Sequence, residues 1–198
     1  MTDHSRFARP AFCAAALLAL AGCLLPTPPP PPRYFAPEAS TSERPLTAPP
    51  APAALRVGPV RSPLHLREPM TWRRSDVEYG FYEQRRWTEL PATYVERALE
   101  RELGPGSSAT PNGPVVVADV RAFEEVLAPG HEARVAVAIE LVEGRCVRLR
   151  RTFSAARPLT GDDPAAVARG IGEALDEVAR AVATAVGEAL TPRAPCGV

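Results

Sequence analysis

The sequence predicts an α/β domain with a partly antiparallel sheet and two main helices, behind an export signal and a proline-rich tether. Three observations predict it. Apolar residues alternate along short runs between Leu55 and Phe153, two stretches carry helical spacing instead, and prolines crowd the region from Pro26 to Pro69. A chain of 198 residues is long enough for one core of ordinary size.

The N-terminus comes first. Arg6 and Arg9 precede the apolar run Ala11–Ala21, which is about half the roughly 20 apolar residues of a spanning helix and suits the core of an export signal. The run ends in Leu20-Ala21-Gly22-Cys23, which resembles a bacterial lipobox. Small residues at 21 and 22 fit a peptidase cleft, and the Cys23 thiol is the one group there able to carry a diacylglyceryl thioether. Residues 1–22 are therefore expected to be a lipoprotein signal peptide, with Cys23 lipidated. Leu24 stands where an aspartate retains lipoproteins at the inner membrane in well-studied Gram-negative sorting. That resemblance implies the periplasmic face of the outer membrane.

Residues 23–54 read as a lipidated tether, its prolines favouring extended polyproline geometry. Tyr34-Phe35 inside it suggests a short docking segment. The folded domain is expected over residues 55–190, with residues 191–198 as a C-terminal tail.

Leu55–Arg61 reads as a first strand, with Pro59 favouring an edge or a bulge. Met70–Tyr82 alternates around Arg74-Ser75-Asp76, the pattern of a β-hairpin. Leu90, Val95, Ala98, Leu99 and Leu103 follow helical spacing; Pro91 suits the first turn and Gly104 the stop. After a Gly/Pro/Ser/Asn loop come three strand-like runs, Val115–Phe123, Glu132–Val142 and Cys146–Phe153, with Gly130 and Gly144 in the turns. They predict an antiparallel meander. The first two runs are apolar on nearly both faces, as in a covered sheet. The third has Val147, Leu149 and Phe153 on one side and Arg148, Arg150 and Thr152 on the other. Asp163 as N-cap and Pro164 after it begin a long helix. Its stripe is Val167, Ile171, Leu175, Val178, Val182, Val186 and Leu190, a face to pack on the sheet.

Composition and motifs narrow the chemistry. All 23 basic residues are arginine and are balanced by 23 acidic ones, so a neutral chain has no global field for nucleic acid, and none is expected as partner. His65 and His131 lack CxxC, HExxH or clustered carboxylates nearby, so no metal and no cofactor are expected. Gly170-Ile171-Gly172 lies inside the helical stripe rather than in a strand-to-helix turn, which rejects a dinucleotide fingerprint. Glu124-Glu125 adjoin on a strand end and point to opposite faces, so they do not form an acid/base pair. No catalytic residue is nominated, and an enzyme is not expected.

Two features bear on interactions. Trp72, Arg73, Arg74, Tyr79 and Tyr82 on the hairpin combine aromatic rings with guanidinium groups, the composition of interface anchors, and are the expected partner surface. Cys146 and Cys196 either bridge in the disulfide-permissive periplasm or remain two thiols. A bridge would close a loop of about 50 residues and stabilise by up to roughly 4 kcal/mol.

Several stretches together carry a family resemblance: Leu55-Arg56-Val57-Gly58-Pro59-Val60, Pro63-Leu64-His65-Leu66-Arg67-Glu68-Pro69-Met70, Trp72-Arg73 through Val77-Glu78-Tyr79, Arg86-Trp87-Thr88-Glu89-Leu90 and Arg121-Ala122-Phe123-Glu124. With the lipobox, tether and final helix, the chain resembles the ABC-type transport auxiliary lipoprotein family, also described as paraquat-inducible protein C-like. The family often has tyrosine where this chain has His65. The resemblance implies a three-layer α/β domain with a mixed sheet, anticodon-binding-like or TolB N-terminal-like. It implies a non-catalytic component of a lipid transport system, with a mammalian-cell-entry (MCE) domain protein and its ABC permease and ATPase as partners. A homo-oligomer is compatible with that reading. The alternative is a structural or assembly envelope lipoprotein not tied to a transporter.

Overall fold

Valine, isoleucine and small residues at alternate positions favour extended chain, and they build the centre of the sheet. The computed structural model describes residues 29–37, 55–104 and 113–191. Its elements in chain order are β1 (Arg33–Phe35), β2 (Arg56–Arg61), β3 (Pro69–Arg73), β4 (Tyr79–Trp87), α1 (Pro91–Leu103), β5 (Val115–Val126), β6 (Glu132–Glu143), β7 (Cys146–Pro158) and α2 (Pro164–Leu190). The sheet and both helices belong to one compact unit, residues 32–198.

Among the described residues the seven strands form one mixed sheet in the order β1-β4-β3-β5-β6-β7. β5, β6 and β7 are the antiparallel meander the sequence predicts, each running a few residues further than its alternation suggests. The other edge of β5 is shared end to end. β2 pairs parallel with its first half, and β3 pairs parallel with Glu124–Val126. Pro59, which has no N–H to donate, sits where the β2 register shifts between Val57 and Val60. β3 and β4 form the hairpin, turning through Arg74–Glu78.

β1 was not legible as a strand. Arg33-Tyr34-Phe35, in the segment read as tether, pairs parallel with Arg85-Arg86-Trp87 at the end of β4. The Tyr34-Phe35 pair thus docks on its own domain. The rest of that segment, residues 38–54, lies outside the described residues, as do the lipobox residues Leu20, Ala21, Gly22 and Cys23, and Cys196 near the C-terminus.

Both helices cover the same face. Pro91 opens α1, and Gly104 ends it at φ 87°, a backbone that favours glycine. Asp163 caps α2 by accepting a hydrogen bond from the Ala165 N–H at 3.0 Å. The α2 stripe buries Val167, Ile171, Leu175, Val178, Val182 and Val186. Opposite them are Ala133, Val135, Val137, Ile139 and Leu141 of β6. Gly170 lets α2 approach β6, since a Cβ there would stand 2.9 Å from that of Ala133. α1 adds Val95, Leu99 and Leu103, and Tyr94 stacks on Phe123 with ring centroids 6.2 Å apart. An ion pair from Arg101 to Asp176, 2.6 Å long, links the helices.

The mixed sheet and the two main helices are as expected. One expectation is corrected: among the described residues β5 and β6 are covered by helices on one face only. The reason lies in β6: Glu132, Arg134, Ala136, Ala138 and Glu140 occupy the second face and stay half-buried. Small and charged side chains offer no apolar stripe to hold another helix. That face is open.

Candidate docking surface

The hairpin expected as partner surface projects from the β1–β4 side of the sheet, and its five nominated residues divide between the two faces. Trp72 and Tyr82 lie on the helix-bearing side. Trp72 is half-buried over Gly80, its cross-strand partner; a Cβ on Gly80 would meet the indole at 2.5 Å. Arg74 lies over the Trp72 ring, 5.7 Å from its centroid. Tyr82 sits beneath Arg85, 4.1 Å from guanidinium carbon to ring centroid. Burial first, and the neighbouring Glu125 carboxylate second, push the Tyr82 phenol above the usual range, so it stays protonated.

Arg73 and Tyr79 lie on the open face. Arg73 Nε donates to Glu124 Oε1 at 2.7 Å, and Arg134 of β6 donates to the same oxygen through both Nε, at 3.2 Å, and Nη2. The hydrogen bond to Glu124 holds the Arg73 guanidinium above its ordinary range. Arg73 is thus a clasp between β3, β5 and β6 rather than a free cation. Tyr79 is 47% exposed, packed against His65 with centroids 5.1 Å apart. Sequence reasoning missed its outward companions, Phe81 at 49% and Val77 at 90% exposure. Two-residue spacing from Tyr79 was the signal that could have found them.

Glu125 is on the helix-bearing side, its carboxylate 2.6 Å from His131 Nε2 and 3.6 Å from Arg85 Nη1. Glu124 and Glu125 therefore face opposite ways and form no catalytic pair. Both are buried, at 1% and 2% exposure, which nothing in their sequence neighbourhood announces. Among the described residues no three His, Cys, Asp or Glu side chains gather to hold a metal ion.

Three arginines of β7 are paired as well. Arg148 bonds Glu143 at 2.8 Å, Arg150 bonds Glu140 at 2.8 Å, and Arg157 reaches Glu173 and Glu177 of α2. Arg157 holds the Glu177 carboxyl below its ordinary range. A groove of about 580 Å³ beside β2 is lined by Val60, Leu64, Leu66, Leu90 and Ala92 together with Ser62, Arg67 and Glu68, so its wall mixes apolar and charged side chains. Cys146, at the start of β7, is disulfide-bonded, to a partner outside the described residues.

The described residues thus combine a clasped sheet with an exposed aromatic hairpin tip. The description "ABC-type transport auxiliary lipoprotein component" matches residues 35–183, from inside β1 to within α2. The chain belongs to this family. As a family member it is a lipoprotein component that assists ABC-type transport. Its fold is similar to the crystal structure of a Xanthomonas campestris protein of a family of unknown function, 22% identical, covering 79% of this chain and 95% of that one with a TM-score of 0.67. A second crystal structure, of an uncharacterised protein, is 12% identical and covers 79% and 99% with a TM-score of 0.59. At these identities the likeness concerns the fold. No curated protein matches the chain.

Proposed function

We propose that this auxiliary lipoprotein is a non-catalytic, outer-membrane-anchored component of an MCE-type lipid transport system, acylated at Cys23. The observation that carries the reading is the family match from the last residue of β1 through the rest of the sheet and most of α2, joined to Leu20-Ala21-Gly22-Cys23 and Leu24 in the sequence. An anchor places a binding domain beside its partners at high effective concentration, so modest contacts suffice. The partners are an MCE-domain protein and its ABC permease and ATPase. The buried groups act as structure: Glu124 and Glu125 are consumed by cations, and the Tyr82 phenol is held protonated.

Deletion of the gene tests the reading. The deletion strain is expected to become sensitive to detergents, and the wild-type gene to restore the barrier. Cys23→Ser is expected to fail in restoring it and to leave the protein soluble or uncleaved. Full rescue by an unanchored Cys23→Ser protein contradicts the anchored role. An intact barrier in a deletion strain without a second such system favours the structural envelope lipoprotein.

A further inference from the structure

The strand β1 shortens the tether. With the domain starting at residue 55, the thirty-odd residues from Cys23 would reach about 100 Å in polyproline geometry. With Arg33 already fixed beside Arg85, the ten steps from Cys23 reach only about 30 Å. The domain must then ride close to the membrane that holds the anchor.

Direction adds a second constraint. β1 runs parallel to β4, so its N-terminal end opens toward the hairpin turn. From Arg85 back to Tyr79 the strand covers six residues, about 20 Å at 3.3 Å each. The reach of the chain ahead of Arg33 thus exceeds the distance to the turn by only about 10 Å. At that end stand Val77, Tyr79 and Phe81, exposed at 90%, 47% and 49%. The local charges compensate one another: Arg74 lies 3.9 Å from Glu78, and Arg73 is bound to Glu124. The patch is therefore apolar and aromatic rather than basic. Such side chains suit the headgroup–acyl boundary, where a ring or methyl sits in hydrocarbon and a hydroxyl stays wet.

We infer that the hairpin tip, Val77 with Tyr79 and Phe81, rests on the lipid surface carrying the acylated Cys23. The short tether and the tip together fix which side of the domain faces the membrane. The inference relies on the anchored reading above, and on Cys23 in particular.

The test uses the full-length lipidated protein in phosphatidylcholine vesicles with and without brominated acyl chains. Trp87 is buried, so a Val77→Trp variant reports the tip against a quiet core, with the wild type giving the Trp72 background. Thr152→Trp, on the exposed face of β7, is the control. Val77→Trp emission is expected to fall at least twofold with brominated lipid, unaffected by salt, while Thr152→Trp stays unquenched. Inserting twenty Gly/Ser residues after Thr27 is expected to weaken the quenching. Protein that floats with the vesicles yet quenches equally little at both positions overturns the inference and leaves the anchor standing. Protein that does not float overturns both. Shielding of position 77 only when the MCE-domain partner is added assigns the tip to that partner and also overturns the lipid contact.

Discussion

Glu124 and Glu125 are neighbours on β5, almost equally hidden, and neutralised in different ways. Glu124 faces the open side and is held by two guanidiniums, Arg73 from β3 and Arg134 from β6. Glu125 faces the helices and is held by His131 from the β5–β6 turn and, at longer range, by Arg85 from β4. The difference shows how each face of this sheet is closed. The helix-bearing face is sealed by hydrocarbon, and its one carboxylate sits at the margin of that seal. Among the described residues the open face has no helix above it, and at β3–β5–β6 it is shut by charge instead. That junction is also where β5 pairs parallel on one side and antiparallel on the other.

The sharpest way to break the comparison is to place a charge on each face. Val178→Asp puts a carboxylate among residues of 0% to 2% exposure and is expected to cost at least about 3 kcal/mol, or to prevent folding. Thr152→Asp on the open face is expected to change stability by no more than about 0.5 kcal/mol. Denaturant melts of the two variants measure the contrast; equal costs would mean that both faces are covered.

Next comes the crosslink. Cys146→Ser removes a disulfide at the turn end of the β6–β7 ladder and is expected to cost about 2–4 kcal/mol under oxidising conditions. We propose Cys196 as its partner, so Cys196→Ser should cost the same and the double variant no more. Peptide mapping without reduction checks the pairing.

The carboxylates themselves give a crossed prediction. Glu124→Ala leaves two guanidiniums facing each other and is expected to cost about 2–3 kcal/mol, more than Glu125→Ala by about 1 kcal/mol. Removing one cation reverses the order. Arg73→Met leaves Glu124 with Arg134, whereas Arg85→Met leaves Glu125 with His131 and the neutral Tyr82 phenol and is expected to be the worse by about 1 kcal/mol. Melts in which the order does not reverse would show that the two sites are governed by packing rather than charge.

The smallest effects come from two glycines of α2. Gly187→Ala meets open space and is expected to stabilise by about 0.5–1 kcal/mol. Gly170→Ala meets Ala133 at 2.9 Å and Leu159 at 3.1 Å, so overpacking is expected to cancel that gain and cost about 1 kcal/mol net.

What was legible in the sequence follows the range of the interactions. α2 was legible from Asp163 onward because its cap, its Pro164 and its stripe are local signals. α1 was legible for the same reason, from Pro91 to Gly104. The meander was legible in its starts, Val115, Glu132 and Cys146, but not in its ends. Glu124-Glu125 and Ser154-Ala155-Ala156 break the alternation, and only pairing with β3 and β6 holds them extended. β1 was hidden because three residues between prolines carry no period, and its partner lies some fifty residues away. The division of the hairpin was half legible. Alternation separates Tyr79 from Tyr82, but the clasp of Arg73 on Glu124 spans fifty-one residues and has no local sign. Cover on both faces of β5 and β6 was expected from apolar content, and alanine at 136 and 138 misled that count: it is apolar without being large enough to need cover.

Both faces finally serve one claim, that this chain is an anchored module which binds transport components and performs no reaction. Affinity purification of the full-length lipidated protein from crosslinked envelopes tests it most directly. The account predicts that an MCE-domain protein, an ABC permease and its ATPase co-elute in fixed proportion with the wild type and are lost with Cys23→Ser. Recovery of acylated, folded protein carrying none of the three would contradict it.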